Sequence, residues 1–302
     1  MRIERLHDDE FHIDDALVRR LLASQMPQWA ELPLRLVQPS GTDNVMIRLG
    51  DDLALRLPRT PGAASGITKE QRLVPLIAAQ VPVAVPAPVG FGVPGDGYPW
   101  PWSVYPWVIG RNPQPGEADV GLAGDLADFA RVLRGLDTFG LVAEGLLHSY
   151  RVDSIQLRDA TTRQCIDEST GLIDTVLVIQ VWDQVRRVCD FTGPRVWMHS
   201  DLQPGNILVY KGKLAAVIDW GSLALGDPAV DCIVAWTLLT PDTRIAFRDR
   251  IDVDDETWRR ARAWALSIAL VALPYYIHTN EQITAWARYA IGQVVGEVCS
   301  GG

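Results

Sequence analysis

The spacing of hydrophobic residues changes about a third of the way along the chain. Ile13, Leu17, Leu21 and Leu22 recur at helical spacing, which predicts an amphipathic helix over 13–25 that ends before Pro27. Alternating apolar runs follow at 34–38, 45–49 and 53–57, with Gly50-Asp51 as the turn between the last two. A helical stretch from about 66 leads into a proline-rich connector over 81–93, and 102–107 reads as another strand. From 119 onward the period is mostly helical, at 119–136, 172–190, 229–239, 256–273 and 281–297. A single β-type island over 206–219 interrupts it. A strand-rich first third and a helical remainder predict an α+β protein of two lobes, 1–107 and 108–302, joined at Val108-Ile109-Gly110-Arg111.

Composition narrows the function classes. The 302 residues are 48% hydrophobic and 22% charged, which excludes a disordered, collagen-like or disulfide-scaffold protein. Twenty-eight basic against 37 acidic residues give a net charge of −9, so nucleic acid is not an expected partner, whereas a cationic small substrate is compatible. Cys165, Cys189, Cys232 and Cys299 lack metal-ligand spacing and read as reduced thiols. Met1-Arg2-Ile3-Glu4-Arg5 has no hydrophobic signal core, and the most apolar stretch, 263–277, is too short to span a bilayer and contains Pro274. The expectation is a cytoplasmic chain with no membrane partner.

The island carries the chemistry: His199-Ser200-Asp201-Leu202-Gln203-Pro204-Gly205-Asn206, an apolar run, Lys211-Gly212, a second apolar run, then Asp219-Trp220-Gly221. Lys211-Gly212 is a two-residue hairpin turn, and closing it there predicts Asn206 opposite Val217 with Asp219 as the diagonal neighbour. An amide oxygen and a carboxylate then reach one end of a hairpin. That oxygen-only pair suits Mg²⁺, which keeps waters and substrate phosphates in its other positions. Asp201, on a loop shaped by Pro204-Gly205, can orient a nucleophile toward a metal-bound phosphate. Asp and Asn are also ordinary turn formers, but three together around a hairpin exceed what turn chemistry asks for. His199 reads as a packed histidine bonded to backbone.

These residues, with Gly226-Asp227-Pro228-Ala229-Val230-Asp231, resemble the aminoglycoside phosphotransferase family, small-molecule kinases that include the macrolide phosphotransferases. The resemblance runs over roughly 12–295 and implies a bilobal protein-kinase-like fold. It implies that Asp201 is the catalytic aspartate, that Asn206 and Asp219 are the metal ligands, and that ATP or GTP is the phosphoryl donor. It also implies that the first lobe binds the nucleotide, that the inter-lobe strand meets its base through backbone groups at Pro106 and Val108, and that Asp231 bonds to the catalytic loop. Asp227 reads independently as a helix cap before a first-turn proline.

In the first lobe, Leu53, Leu55 and Leu57 share one strand face and Arg56 takes the other. Glu70 falls inside an apolar stripe with Ile67, Val74 and Ile77, so its carboxylate needs a partner, and Arg56 is the natural one. The pair resembles the kinase ion pair that grips the donor phosphates, with arginine where most kinases have lysine. Arg56-Leu57-Pro58-Arg59 is similar to an Arg-x-Pro-Arg pattern of some macrolide phosphotransferases. Ser40, Thr42 and Asn44, in the connection between the first two strands, can present backbone N–H groups to phosphates. Pro75 is expected to kink or split its helix.

Only seven residues separate Asp219 from Asp227, and no Ala-Pro-Glu follows, so the long segment with which protein kinases bind a polypeptide is missing. No protein substrate is expected. The predicted acceptor is a small hydroxylated molecule held by the C-terminal helices, which carry Asp252, Asp254, Asp255, Glu256, Trp258, Trp264, Tyr275, Tyr276, His278, Glu281 and Trp286. The acidic residues suit a polyamine sugar and the aromatic ones a macrolide or similar product, although aromatic residues at helical spacing also build cores. A kinase of a primary-metabolite alcohol and a silent nucleotide-binding scaffold are the other readings.

Overall fold

The computed structural model describes residues 10–37 and 43–301. They group into two compact units, one from residues up to 79 with 84–109 and 218–221, the other from 80–83, 110–217 and 222 onward.

The first unit is built on an antiparallel five-stranded sheet. Helix α1 (Asp15–Gln25) precedes β1 (Leu34–Leu36), β2 (Asn44–Leu49) and β3 (Leu53–Pro58); α2 (Pro61–Ile77), β4 (Gly90–Gly92) and β5 (Trp102–Pro106) follow. The spatial order is β1-β2-β3-β5-β4. Alternation along the strands gives the sheet two different faces. Val45, Ile47, Leu49, Leu55, Leu57, Trp102 and Val104 join Leu17, Val18, Leu21 and Leu22 of α1 in one apolar core. Arg56, Ser103 and Tyr105 point the other way, toward α2, where Gln71 Nε2 donates to Trp102 O and Ser103 Oγ at 3.1 and 3.0 Å.

Helix α2 begins five residues before the expected start, because Thr60 caps it and Pro61 occupies the first turn. Pro75 does not split it: the helix runs unbroken to Ile77, and a proline so near the C-terminal end interrupts only the last turn. Strand β4 lies inside the proline-rich connector. Gly92 is required there, since a Cβ would stand 2.1 Å from the Trp102 indole. Arg59 of the Arg-x-Pro-Arg pattern is fully buried and ion-paired with Glu10, a packing role.

The second unit is mainly helical: α3 (Val120–Arg134), α4 (Asp159–Glu168), α5 (Thr175–Val185), α6 (Val234–Thr237), α7 (Pro241–Ile251), α8 (Asp255–Tyr276) and α9 (Glu281–Cys299). Two small antiparallel ribbons lie among them, β6 (Val196–Met198) with β9 (Ala224–Gly226), and β7 (Ile207–Tyr210) with β8 (Lys213–Val217). Lys211 and Gly212 both have positive φ, as a two-residue hairpin turn demands. The register nevertheless differs from expectation. Tyr210 pairs with Lys213 and Val209 with Leu214, but Ile207 pairs with Val217. A bulge beside Leu208/Val209 inserts one residue, so Val217 faces Ile207 and not Asn206. The turn alone did not reveal that extra residue.

Among the described residues no helix is long and apolar enough to cross a membrane. Cys165 and Cys232 are buried and Cys189 and Cys299 exposed, all as free thiols.

Candidate active site

Each unit organises its own polar cluster. In the first unit, Arg56 on β3 donates from Nη1 to Glu70 Oε1 at 2.6 Å and from Nη2 to Asp219 Oδ1 at 2.5 Å. Tyr105 Oη donates to the other oxygen of Glu70. Asn44, with its amide oxygen toward Arg56, accepts from Nη2 and Nε at 2.9 and 3.1 Å. The guanidinium is therefore surrounded by acceptors. Burial is the largest influence on Arg56 and works against its charge, yet Asp219 and Glu70 together hold its pKa above the ordinary arginine value. Glu70, 2% exposed, is pushed above the usual carboxylate range by burial, against the pull of Arg56.

A pair of glycines permits this convergence. A Cβ on Gly66 would lie 3.3 Å from Gly221 Cα, so α2 meets the Asp219-Trp220-Gly221 segment backbone to backbone. Glu70, one turn further along α2, then receives a backbone hydrogen bond from Trp220. Asp219 itself has φ +61°, an uncommon left-handed conformation that aspartate tolerates better than most residues.

In the second unit the loop after β6 carries Asp201. Asp231 holds this loop by its backbone: Oδ2 accepts from His199 N and Oδ1 from Ser200 N, both at 2.8 Å. Asp231 is 4% exposed, and burial raises its pKa against the pull of His199 and these two N–H groups. His199 is fully buried and its Nδ1 accepts from Asp201 N at 3.2 Å, the packed histidine expected. Asn112 ties down the far side of the loop, its Nδ2 donating to Gly205 O and Ile207 O at 2.8 and 2.9 Å. Asn206 Nδ2 donates to Asp201 O at 2.9 Å and Asp201 Oδ2 at 2.8 Å. Asp201 Oδ1 accepts from Arg151 Nη1 at 2.6 Å.

Ser200 has φ +70°, a backbone region that glycine occupies freely. Asp227 caps the turn starting at Pro228, accepting from Ala229 N, and binds Arg260 through both oxygens at 2.6 and 3.2 Å.

Asn206 in the second unit and Asp219 in the first each offer oxygen, the ligand type a hard cation prefers. Asn206 commits its nitrogen to Asp201, which leaves its oxygen as the ligand-capable end. Asp219 is 47% exposed and already carries a cation, Arg56, against one oxygen. Among the described residues no group of three His, Cys, Asp or Glu could hold a metal by itself. Each side chain by itself offers oxygen, the ligand type that Mg²⁺ prefers, and Mg²⁺ keeps waters and substrate oxygens in its other positions.

Other expected positions separate by place. Ser40 and Thr42 lie outside the described residues. Pro106 ends β5 opposite Leu53, where it can offer only its carbonyl. Val108 follows as a half-buried residue whose backbone groups make no hydrogen bond among the described residues. Three of the acidic residues near α8 are engaged: Asp254 caps the helix, Asp255 pairs with Arg248 and Glu256 with Arg259. Trp258, Trp264 and Trp286 are core residues; Tyr275 is exposed. Sequence reasoning missed Arg151, Asn112 and Tyr105. Arg151 and Asn112 are 50 and 93 residues from their loop partners Asp201 and Gly205. The only available signal for Tyr105 was its alternation with Ser103 on the Arg56 face.

No curated protein matches the chain. Solved structures of similar fold include the GDP and kanamycin complex of APH(2'')-IIia, with a TM-score of 0.70 and 20% identity over 94% of this chain and 99% of that one. Macrolide 2'-phosphotransferase MphH from Brachybacterium faecium gives a TM-score of 0.60 and 21% identity over 92% and 97%. The streptomycin-ATP ternary complex of APH(2'')-IIa gives 0.60 and 13% over 95% and 97%. At these identities the likeness establishes the α+β kinase-like fold. The model of the phosphotransferase enzyme family (APH) matches residues 35–264, well over half of the chain, and the protein belongs to that family.

Proposed function

We propose that this phosphotransferase moves the γ-phosphoryl group of ATP or GTP to a hydroxyl of an aminoglycoside-like antibiotic or related natural product. The observation that carries the reading is the Asp201–Asn206 hydrogen bond at 2.8 Å on a loop anchored by Asp231. It pairs a carboxylate able to receive a hydroxyl proton with an amide oxygen able to bind a cation. Support for the donor comes from relatives of the same fold, which are described with GDP and with ATP.

In this mechanism a bond forms between the acceptor oxygen and the γ-phosphorus as the bond to the β–γ bridging oxygen breaks. A nucleoside diphosphate leaves and the hydroxyl proton passes to Asp201. The transition state is loose, so Asp201 serves more to orient the hydroxyl than to deprotonate it early. Arg56, steadied by Glu70 and Tyr105, holds the donor phosphates. Asn206 and Asp219 are the residues that would hold Mg²⁺, which supplies neutralisation of charge on the phosphate oxygens. The first unit acts as the nucleotide-binding lobe, with backbone groups at Pro106 and Val108 for the base and Asn44 beside the phosphates.

A macrolide-type acceptor is the second reading. It gains from the commitment of Asp254, Asp255 and Glu256 to caps and ion pairs, which weakens the argument for a polyamine. The test is a coupled assay over aminoglycosides, macrolides, peptide antibiotics and small amino alcohols with each nucleotide. Mass spectrometry should find a product heavier by one phosphoryl group. Nucleotide binding with no phosphorylated product from any class would leave the silent-scaffold reading.

A further inference from the structure

The carboxylate of Asp201 has both oxygens engaged, one by the motif itself and one from outside it. Oδ2 accepts from Asn206, while Oδ1 accepts from Arg151 Nη1 at 2.6 Å. Arg151 lies in a short 3₁₀ turn, Tyr150–Val152, capped by Ser149. Three contacts fix its guanidinium. Nη1 donates to Asp201 and also to Ser200 O, the carbonyl of the residue with positive φ, and Nε donates to Tyr150 Oη at 2.9 Å.

Tyr150 is itself braced. The Arg158 guanidinium lies 4.7 Å from its ring centroid, and the buried Trp264 of α8 packs at 6.4 Å. Val152 O accepts from Arg195 one residue before β6, which links the turn to the strand that leads into the Asp201 loop. The Arg151 side chain is 12% exposed and that of Asp201 26%. Arg151 is thus largely enclosed, while the carboxylate it grips still meets solvent.

We propose that Arg151 is a positioning residue for phosphoryl transfer, holding the Asp201 carboxylate by one oxygen so that its accessible edge faces the acceptor hydroxyl. This rests on the phosphotransferase reading above. Two donors from opposite sides, Asn206 and Arg151, stop the carboxylate from rotating about its Cβ–Cγ bond. A charge-assisted bond from a planar guanidinium is stronger and more directional than a neutral one. Enzymes lose rate steeply when a reacting group is misplaced by as little as ~1 Å.

The test compares Arg151→Met and Arg151→Lys with wild type, using the acceptor that gives the highest turnover in the panel assay. For Arg151→Met we expect kcat to fall about 10²-fold, the scale of a lost positioning contact, with nucleotide KM within about twofold of wild type. Arg151→Lys should recover at least fivefold of that loss, and millimolar methylguanidine should partly restore Arg151→Met. In an Asp201→Asn background, adding Arg151→Met should cost less than twofold more, because two residues that act as one unit are not additive. Near-wild-type kcat in Arg151→Met overturns the proposal. So does an equal loss in Arg151→Lys and Arg151→Met without methylguanidine rescue, if thermal melts show both folded, because that marks a packing role. A wild-type protein that phosphorylates no acceptor overturns the functional reading first, and this inference falls with it.

Discussion

The two polar clusters are built on opposite plans. Around Arg56 in the first unit, side chains hold side chains: a guanidinium, two carboxylates, a phenol and an amide satisfy one another, all but Asp219 largely buried. Around Asp201 in the second unit, side chains hold backbone. Asp231 takes two consecutive N–H groups, Asn112 reaches three carbonyls, and His199 accepts from Asp201 N. A cluster of the first kind fails when a buried member is removed, because a buried charge is left without an enclosed partner. One of the second kind keeps the loop path and loses only the chemistry of the residue changed.

The sharpest way to break this contrast is at Asp219, where the first cluster reaches solvent. Asp219→Asn should abolish Mg²⁺-dependent nucleotide binding in calorimetry yet cost little stability, as that side chain is 47% exposed. Unchanged Mg-nucleotide affinity would remove Asp219 from the metal role. Next in size is Glu70→Ala. It strips the buried Arg56 of its more enclosed partner and should destabilise the fold by about 3–5 kcal/mol in denaturant unfolding. A loss below ~1 kcal/mol would show that Asp219 alone satisfies the guanidinium.

In the backbone-held cluster, Ser200→Gly should stabilise the protein by up to about 1 kcal/mol, since glycine has no Cβ penalty at φ +70°. A lower denaturant midpoint would mean the serine hydroxyl contributes more than the strain it brings. The smallest effect is on the exposed tether just after Asn112. Arg111 and Gln114 N hold Glu117 down to a pKa of about 2. A lowered folded pKa gives stability that is present above the ordinary value of 4.5 and lost as pH falls toward 2. Wild type should therefore lose slightly more stability than Glu117→Gln between those pH values, and equal losses would dismiss the tether.

The same contrast explains what was legible in the sequence. The Asp201 loop is a short-range object, with Asp201, Asn206, Asp219, Asp227 and Asp231 inside about thirty consecutive residues, so spacing and a hairpin turn identified it. The Arg56–Glu70 pair was legible for another reason: an acid within an apolar helical stripe demands a base, and an arginine stood on the nearest strand face. Long-range partners left no periodic trace. Asp219 is 163 residues from Arg56 and Arg151 is 50 from Asp201, and only folding brings them together. The register error at Asn206 had a local cause, a one-residue bulge that alternation cannot reveal in so short a ribbon. The aromatic residues of α8 and α9 misled in the opposite sense, since helical spacing describes a core and a binding surface alike.

The central claim is that this chain transfers a phosphoryl group through Asp201, and isotope transfer tests it most directly. Nucleotide labelled at the γ-phosphate should pass its label into the small-molecule acceptor fraction with wild-type protein. With Asp201→Asn, transfer should fall at least ~10²-fold, the scale of a lost general base, while nucleotide affinity stays within about twofold. Label that appears only as inorganic phosphate with every acceptor, or equal transfer by the variant, would contradict the account.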